Sequence, residues 1–145
     1  MTGSTATPKP SVLFVCAHNS ARSQMAAAFL TRFAQGRVDV RSGGPDPADS
    51  VDVQAVEAMA EVGVDISSQV PRLLTQEAVM NADIIVTMGY ADQETTFPHV
   101  RHEDWPVEDP VGRDAATVRR IRDEIKGRVQ QLITELLPGR HVDAQ

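Results

Sequence analysis

The sequence predicts an α/β fold: a parallel sheet with helices on both faces. Three observations carry that expectation. Short, continuous apolar runs alternate along the chain with segments of helical periodicity. The runs are apolar throughout, as strands covered on both faces are. Gly and Pro mark the breaks between them, and neither an internal repeat nor a domain linker interrupts the order.

Taken in order, residues 1–10 are rich in Ser, Thr and Pro and read as a flexible leader. Val12-Leu13-Phe14-Val15 follows Pro10 as a short buried strand. From 23 to 34 the pattern turns helical, with Met25, Ala28, Phe29 and Phe33 at helical spacing and Gly36 as the stop. Residues 38–42 are a second strand, broken by Gly43-Gly44-Pro45. Ser50 is placed to cap a second helix through Val53, Val56 and Ala60, with Gly63 at the left-handed end. Thr75 caps a short helix to Val79, which leads into a third strand, Ile84-Ile85-Val86-Thr87-Met88. Residues 90–98 show little periodicity, 100–105 form a weaker strand, and 106–112 a loop. Asp114 opens the last helix, whose stripe is Val118, Ile121, Ile125, Leu132 and Leu136. Arg119, Arg120, Asp123, Glu124 and Arg128 form its solvated face, and Pro138-Gly139 stops it. The expected organisation is a leader (1–10), one catalytic domain (11–139) and a tail (140–145).

Composition narrows the function. The 145 residues suit one domain, and 41% hydrophobic with 23% charged residues is ordinary globular usage. A net charge of −6 is a poor footprint for a nucleic-acid binder. No run approaches the ~20 apolar residues of a membrane span, so no membrane partner is expected and the location reads as cytoplasmic. The one cysteine, Cys16, excludes an intramolecular disulfide and a Cys-based zinc cluster; it is either a small buried hydrophobe or a nucleophile. The four histidines form no metal constellation, and no metal is expected.

The chemistry is concentrated in Cys16-Ala17-His18-Asn19-Ser20-Ala21-Arg22-Ser23. A strand running through a tight loop into a helix N-terminus places that loop in the crevice where open α/β sheets bind ligands. Loop amides and the positive helix end cradle an anion. Arg22, six residues after Cys16, can grip two oxygens of a tetrahedral anion. The same field favours thiolate over thiol at Cys16. Ser23 has a hydroxyl to offer the sulfur or a leaving oxygen, and His18 either adds charge or is a plain loop residue.

These residues, with Asn19 inside the loop, resemble the phosphate loop of the low-molecular-weight protein tyrosine phosphatase family. The continuation Ser23-Gln24-Met25-Ala26 is more similar to that superfamily's arsenate reductase branch. Ser42-Gly43-Gly44 resembles the turn after strand two, whose Ser supports the loop Asn, so Asn19 and Ser42 are implied as loop support. Glu108-Asp109-Pro110 resembles the Asp-Pro that supplies the general acid. From spacing alone Asp109 is a turn residue; the resemblance makes it the acid. Glu103, Asp104 and Glu108 are nearby acids with no motif in their favour. The implied fold is a four-stranded parallel sheet flanked by helices. Implied catalytic residues are Cys16, Arg22 and Asp109, with Ala17 to Ser23 binding the oxyanion.

The sequence also departs from its relatives. Thioredoxin-coupled arsenate reductases carry two further cysteines after the third strand, and residues 88–98 here contain none. Those enzymes tend to have a Glu, associated with a potassium site, where this chain has Ala27. Phosphatases usually follow Asp-Pro with an aromatic wall, whereas here Val111 and Gly112 follow, and Trp105 reads as core. The pattern therefore resembles single-cysteine arsenate–mycothiol transferases. It implies no bound cofactor, an external thiol (mycothiol, or glutathione as the other carrier), and a mycoredoxin or glutaredoxin-like reductase as partner. The alternatives are a tyrosine phosphatase and a non-catalytic anion sensor. A sensor has no need of a nucleophile and an acid together.

Overall fold

A computed structural model describes residues 9–89 and 100–137. The elements run β1 (Ser11–Val15), α1 (Arg22–Ala34), β2 (Asp39–Gly43), α2 (Val53–Glu61), α3 (Gln76–Asn81), β3 (Ile84–Met88), β4 (Arg101–Trp105) and α4 (Ala115–Leu136). The four strands form one parallel sheet in the order β2-β1-β3-β4. The expected fold class is the one found. Most of the leader, the 90–98 segment and the 140–145 tail, together with Pro138-Gly139, lie outside the described residues.

Burial separates the central strands from the edges. In β1 and β3 nearly every residue is buried, as their apolar runs require. The edge strands, Asp-Val-Arg-Ser-Gly and Arg-His-Glu-Asp-Trp, are largely polar and partly exposed. Apolar character throughout therefore holds only for the centre of the sheet. That explains the weak strand signal at 100–105.

Side-chain alternation splits β1 between two cores. Val12 and Phe14 face Met25, Phe29 and Leu30 of α1 and Ile121, Ile125 and Val129 of α4. Leu13 and Val15 face the other side, where Ile85 and Ala82 meet Leu74 and the Ala78–Val79 turn of α3. Trp105 is buried, with its ring 5.7 Å from that of Phe14. Such a pair contributes about 0.5–1.5 kcal/mol beyond its buried area.

Local signals mostly hold, with three corrections. Thr75 caps α3 by accepting from the Ala78 amide at 3.1 Å, and Gly63 ends the α2 region at φ 79°. The cap of α2 is Asp52, not Ser50: its carboxylate accepts from the Ala55 amide at 3.1 Å. α1 ends on Gln35 in the left-handed region, one residue before Gly36. The charged face of α4 does more than meet solvent. Arg119 bonds Glu61 of α2 at 3.0 Å, and Arg122, buried although off the apolar stripe, reaches Glu61 and the Ala58 carbonyl at 2.9 Å each.

The chain leaves β1 for β2 on one side and returns to β3 on the other. The loop after β1 thus opens at the switch point of the sheet, the place where such folds leave a crevice.

Candidate active site

Residues 16–21 turn from the end of β1 into α1, and their carbonyls decide what the turn presents. The Ala17, His18 and Ser20 carbonyls accept from the Asp46, Ala48 and Asp52 amides at 3.0, 3.0 and 2.9 Å. The Asn19 carbonyl accepts from the Gln24 side chain at 3.1 Å. With these carbonyls held outward, the peptide planes aim their N–H groups inward. Among the described residues the amides of 17–21 donate to no backbone carbonyl. Unpaired amides of this kind, together with the first turn of α1, are suited to cradle an anion.

The outer wall approaches so closely that only glycine fits. A Cβ on Gly44 would lie 2.3 Å from the Cys16 carbonyl oxygen. Gly43-Gly44, read as a chain break, is a contact surface for the loop. It continues the sheet edge through a bridge between Gly44 and Leu73.

Cys16 is 3% exposed, with its sulfur 2.9 Å from Ser23 Oγ. The direction of that bond follows from its neighbours. The Arg72 amide, which can only donate, fixes Asn19 Oδ1 at 2.8 Å. Asn19 Nδ2 therefore faces Ser23 and donates to its Oγ at 2.6 Å. The Ser23 proton is then free to point at sulfur. The chain of donors from the Arg72 amide through Asn19 and Ser23 thus ends on the Cys16 sulfur.

Arg22 is largely buried. Its Nη1 donates to the Val107 carbonyl at 3.1 Å, and its Nη2 lies 3.9 Å from Asp109 Oδ2. Gly89, at φ 69°, makes room for it, since a Cβ there would sit 2.1 Å from Nη1. The remaining guanidinium protons stay available to a ligand. Asp109 is half-exposed, and its Oδ1 accepts from the Val111 amide at 3.1 Å. The neighbouring acids are committed elsewhere. Glu108 pairs with Arg113 and Arg120, and its hydrogen bond from Arg120 holds its carboxyl below the usual carboxylate range. Asp104 accepts from Thr87, and Glu103 from the Trp105 ring nitrogen and Arg101.

The loop thus brings Cys16, Asn19, Arg22 and Ser23 together, with Asp109 across the crevice. Ser42 is a correction: it pairs with Phe14 in β2, and the Asn19 side chain is held instead by Ser23, Gln24 and the Arg72 amide. His18 turns its Nδ1 to the Asp46 carbonyl at 2.8 Å, on the exposed outer side. Gln24 entered only within the continuation Ser23-Gln24-Met25-Ala26, with no role assigned, and Gly89 and the Val107 carbonyl were not singled out by motif. Of these only Gly89 left a signal, as a glycine closing a buried strand. Among the described residues no group of three or more His, Cys, Asp or Glu is placed to hold a metal ion. Chemically, such an arrangement is suited to hold a tetrahedral oxyanion above a sulfur, with the Asp109 carboxyl group near Arg22.

Comparisons agree with this geometry. Residues 11–141 match the family described as low molecular weight phosphotyrosine protein phosphatase. A putative arsenate reductase of Halobacterium salinarum is 39% identical over 130 residues, covering 86% of this chain and 92% of its own. Arsenate reductase 1 of Bacillus cereus is 36% identical over 126 residues, covering 85% and 93%. Among solved structures, a thioredoxin-dependent arsenate reductase of Corynebacterium glutamicum has a TM-score of 0.80 at 36% identity over 93% of this chain, which spans 65% of that longer one. An arsenate reductase in a phosphate-binding state has a TM-score of 0.80 at 32% identity, covering 88% and 98%. On the match along nearly its whole length, borne out by the sheet order and the loop, this chain belongs to the low molecular weight phosphotyrosine protein phosphatase family.

Proposed function

We propose that this chain is an arsenate reductase acting as an arsenate–thiol transferase, with mycothiol as the thiol. The observation that carries the reading is Cys16: the one thiol in these 145 residues, buried beneath an amide-lined loop and hydrogen-bonded by Ser23. Relatives named arsenate reductases, at 36–39% identity, support the substrate.

In this reading arsenate enters the loop and Arg22 grips two of its oxygens. The Cys16 thiolate attacks arsenic, an S–As bond forms, and an As–O bond breaks. Asp109 hands its proton to that oxygen, which leaves as water. The external thiol then attacks arsenic, and Cys16 departs as thiolate. The released conjugate still holds arsenic in the pentavalent state. A mycoredoxin or glutaredoxin-like partner supplies the two electrons that yield arsenite. Glutathione supports the same sequence with a different carrier, and the cytoplasm is the compartment where such thiols stay reduced.

Tyrosine phosphatase activity is the second reading, favoured by the description of the matched family. Val111, the exposed residue after Asp109-Pro110, offers no aromatic wall to an aryl ester, which weighs toward a small inorganic oxyanion.

The test is arsenate turnover with mycothiol plus mycoredoxin, glutathione plus glutaredoxin, or thioredoxin plus its reductase, supplied in turn. Turnover is expected with a small thiol and not with thioredoxin alone, because the chain holds no second cysteine to resolve the adduct. Efficient thioredoxin-only turnover would contradict the thiol-transfer route. Aryl phosphatase activity without any arsenate turnover would move the chain to the second reading.

A further inference from the structure

The proposed reaction gives no part to Gln24, a buried polar residue at the loop. Gln24 is 4% exposed, and its side-chain nitrogen lies 3.1 Å from the Asn19 carbonyl, 3.1 Å from Asn19 Oδ1 and 3.4 Å from the Val70 carbonyl. Three oxygens face that atom, so it is the amide nitrogen and it donates. Its two protons tie the first turn of α1 to the loop and to the segment running into Arg72.

The residue it holds is the one the loop finds hardest to keep. Asn19 sits at φ 49°, the left-handed region, in a loop otherwise free of positive φ among the described residues. Asn tolerates this region better than other non-glycine residues, and fixed partners on its carbonyl and side chain hold it there. Of the four outward carbonyls at 17–20, three are held by backbone amides from the 46–52 segment. The fourth, on Asn19, is held by Gln24. Gln24 therefore closes the one gap that backbone pairing leaves in the wall behind the cradle.

We propose that Gln24 is a positioning residue for oxyanion binding. It fixes the carbonyl and side chain of Asn19, and through them the inward amides and the Ser23 bond to sulfur. It touches neither substrate nor sulfur. The inference rests on the reading of residues 16–23 as an oxyanion cradle.

Two variants of the full chain test it. Gln24→Met keeps the bulk and removes the donor. Gln24→Glu sets an acceptor before three oxygens when ionised and regains an O–H donor when protonated. Calorimetric titration with sulfate, compared with the unmodified chain at each pH, reads the effect. Arg32, Arg41, Arg72 and Asp65 line the same groove as Gln24, and Arg22 and Cys16 lie beyond Asn19; the ratio to the unmodified chain removes their common titration.

Gln24→Met is expected to bind sulfate about tenfold more weakly, the scale of one lost hydrogen bond. Gln24→Glu should bind more weakly still at alkaline pH and recover as the pH falls. Protection of Cys16 from iodoacetamide by sulfate should decline in parallel. Sulfate affinity unchanged in Gln24→Met, or a loss in Gln24→Glu independent of pH, overturns the proposal. If Gln24→Met fails to fold, the side-chain amide protons of Gln24 in the unmodified chain decide by NMR. Slow exchange and a shift on adding sulfate support the role, and rapid exchange overturns it. An unmodified chain that binds neither sulfate, phosphate nor arsenate overturns the cradle reading itself, which separates that failure from the failure of Gln24 alone.

Discussion

Two loops face each other across the crevice, and they are held in opposite ways. Residues 16–23 are buried except half-buried Ala17 and exposed His18, and the outward carbonyls of 17–20 each have a named partner. Residues 107–113 are anchored at the ends. Val107 is buried against Arg22, while Gln54 of α2 holds the Gly112 amide at 3.2 Å and the Arg113 carbonyl at 2.6 Å. Between them Asp109 stands half in solvent. The contrast fits the roles proposed for each. A cradle stabilises charge only if its dipoles are already aligned when the anion arrives. A proton donor has to be reloaded from water after every turnover, and solvent contact serves that.

The largest test of the contrast is Asp109→Asn. Turnover of arsenate should fall by about 10²–10⁴-fold, the scale of a lost general acid, while sulfate affinity by calorimetry stays near that of the unmodified chain. Retained turnover would return Asp109 to the role of turn residue. Gly89→Ala reaches the rigid side. Its new methyl would overlap Arg22 Nη1, so binding and turnover should fall together, by about 10²–10³-fold if the guanidinium loses its place.

A smaller effect is expected from Gln54→Ala, which frees the acid-bearing loop without touching the cradle. Turnover should drop about threefold to tenfold, as for one or two hydrogen bonds, with anion affinity unchanged. Equal losses in both would mean that the two loops are one unit.

The smallest effect belongs to Glu108→Gln, which should leave turnover unchanged despite its place beside Asp109. Its consequence is in stability. Arg120 holds the Glu108 carboxyl below its ordinary value of 4.5. Its contribution is therefore present above that value and lost as the pH falls through the lowered folded one. The Tm of Glu108→Gln should lie slightly below that of the unmodified chain at neutral pH, with the gap closing in acid. A constant gap would remove the ion pairs as its cause.

Legibility in the sequence followed the range of the interactions. Periodicity located all eight elements seen among the described residues, because apolar runs and helical stripes are local consequences of burial. It erred where partners are distant or alternatives equal: Asp52 and Ser50 are both competent caps, and only the path of the chain into α2 chose Asp52. Cys16, Asn19, Arg22 and Ser23 were legible because the loop is one short contiguous motif. The acid role proposed for Asp109 rests on the family pattern, since an Asp-Pro pair carries no signal that separates an acid from a turn.

By itself, then, the sequence determined the parallel α/β class, the strand–loop–helix that holds Cys16, and the chain's supply of a single thiol. Each is written in neighbouring residues or in composition. Only the tertiary structure decided that Asn19 answers to Gln24 and the Arg72 amide and not to Ser42, that Gly89 clears the space for Arg22, and that Glu108 is tied up by Arg113 and Arg120 while Asp109 faces the crevice. The physical reason is common to all three. Hydrogen bonds and steric fit act over a few ångströms in space, and no spacing along the chain encodes which partners meet, whether they lie 5 positions apart, as Asn19 and Gln24 do, or 53, as Asn19 and Arg72 do.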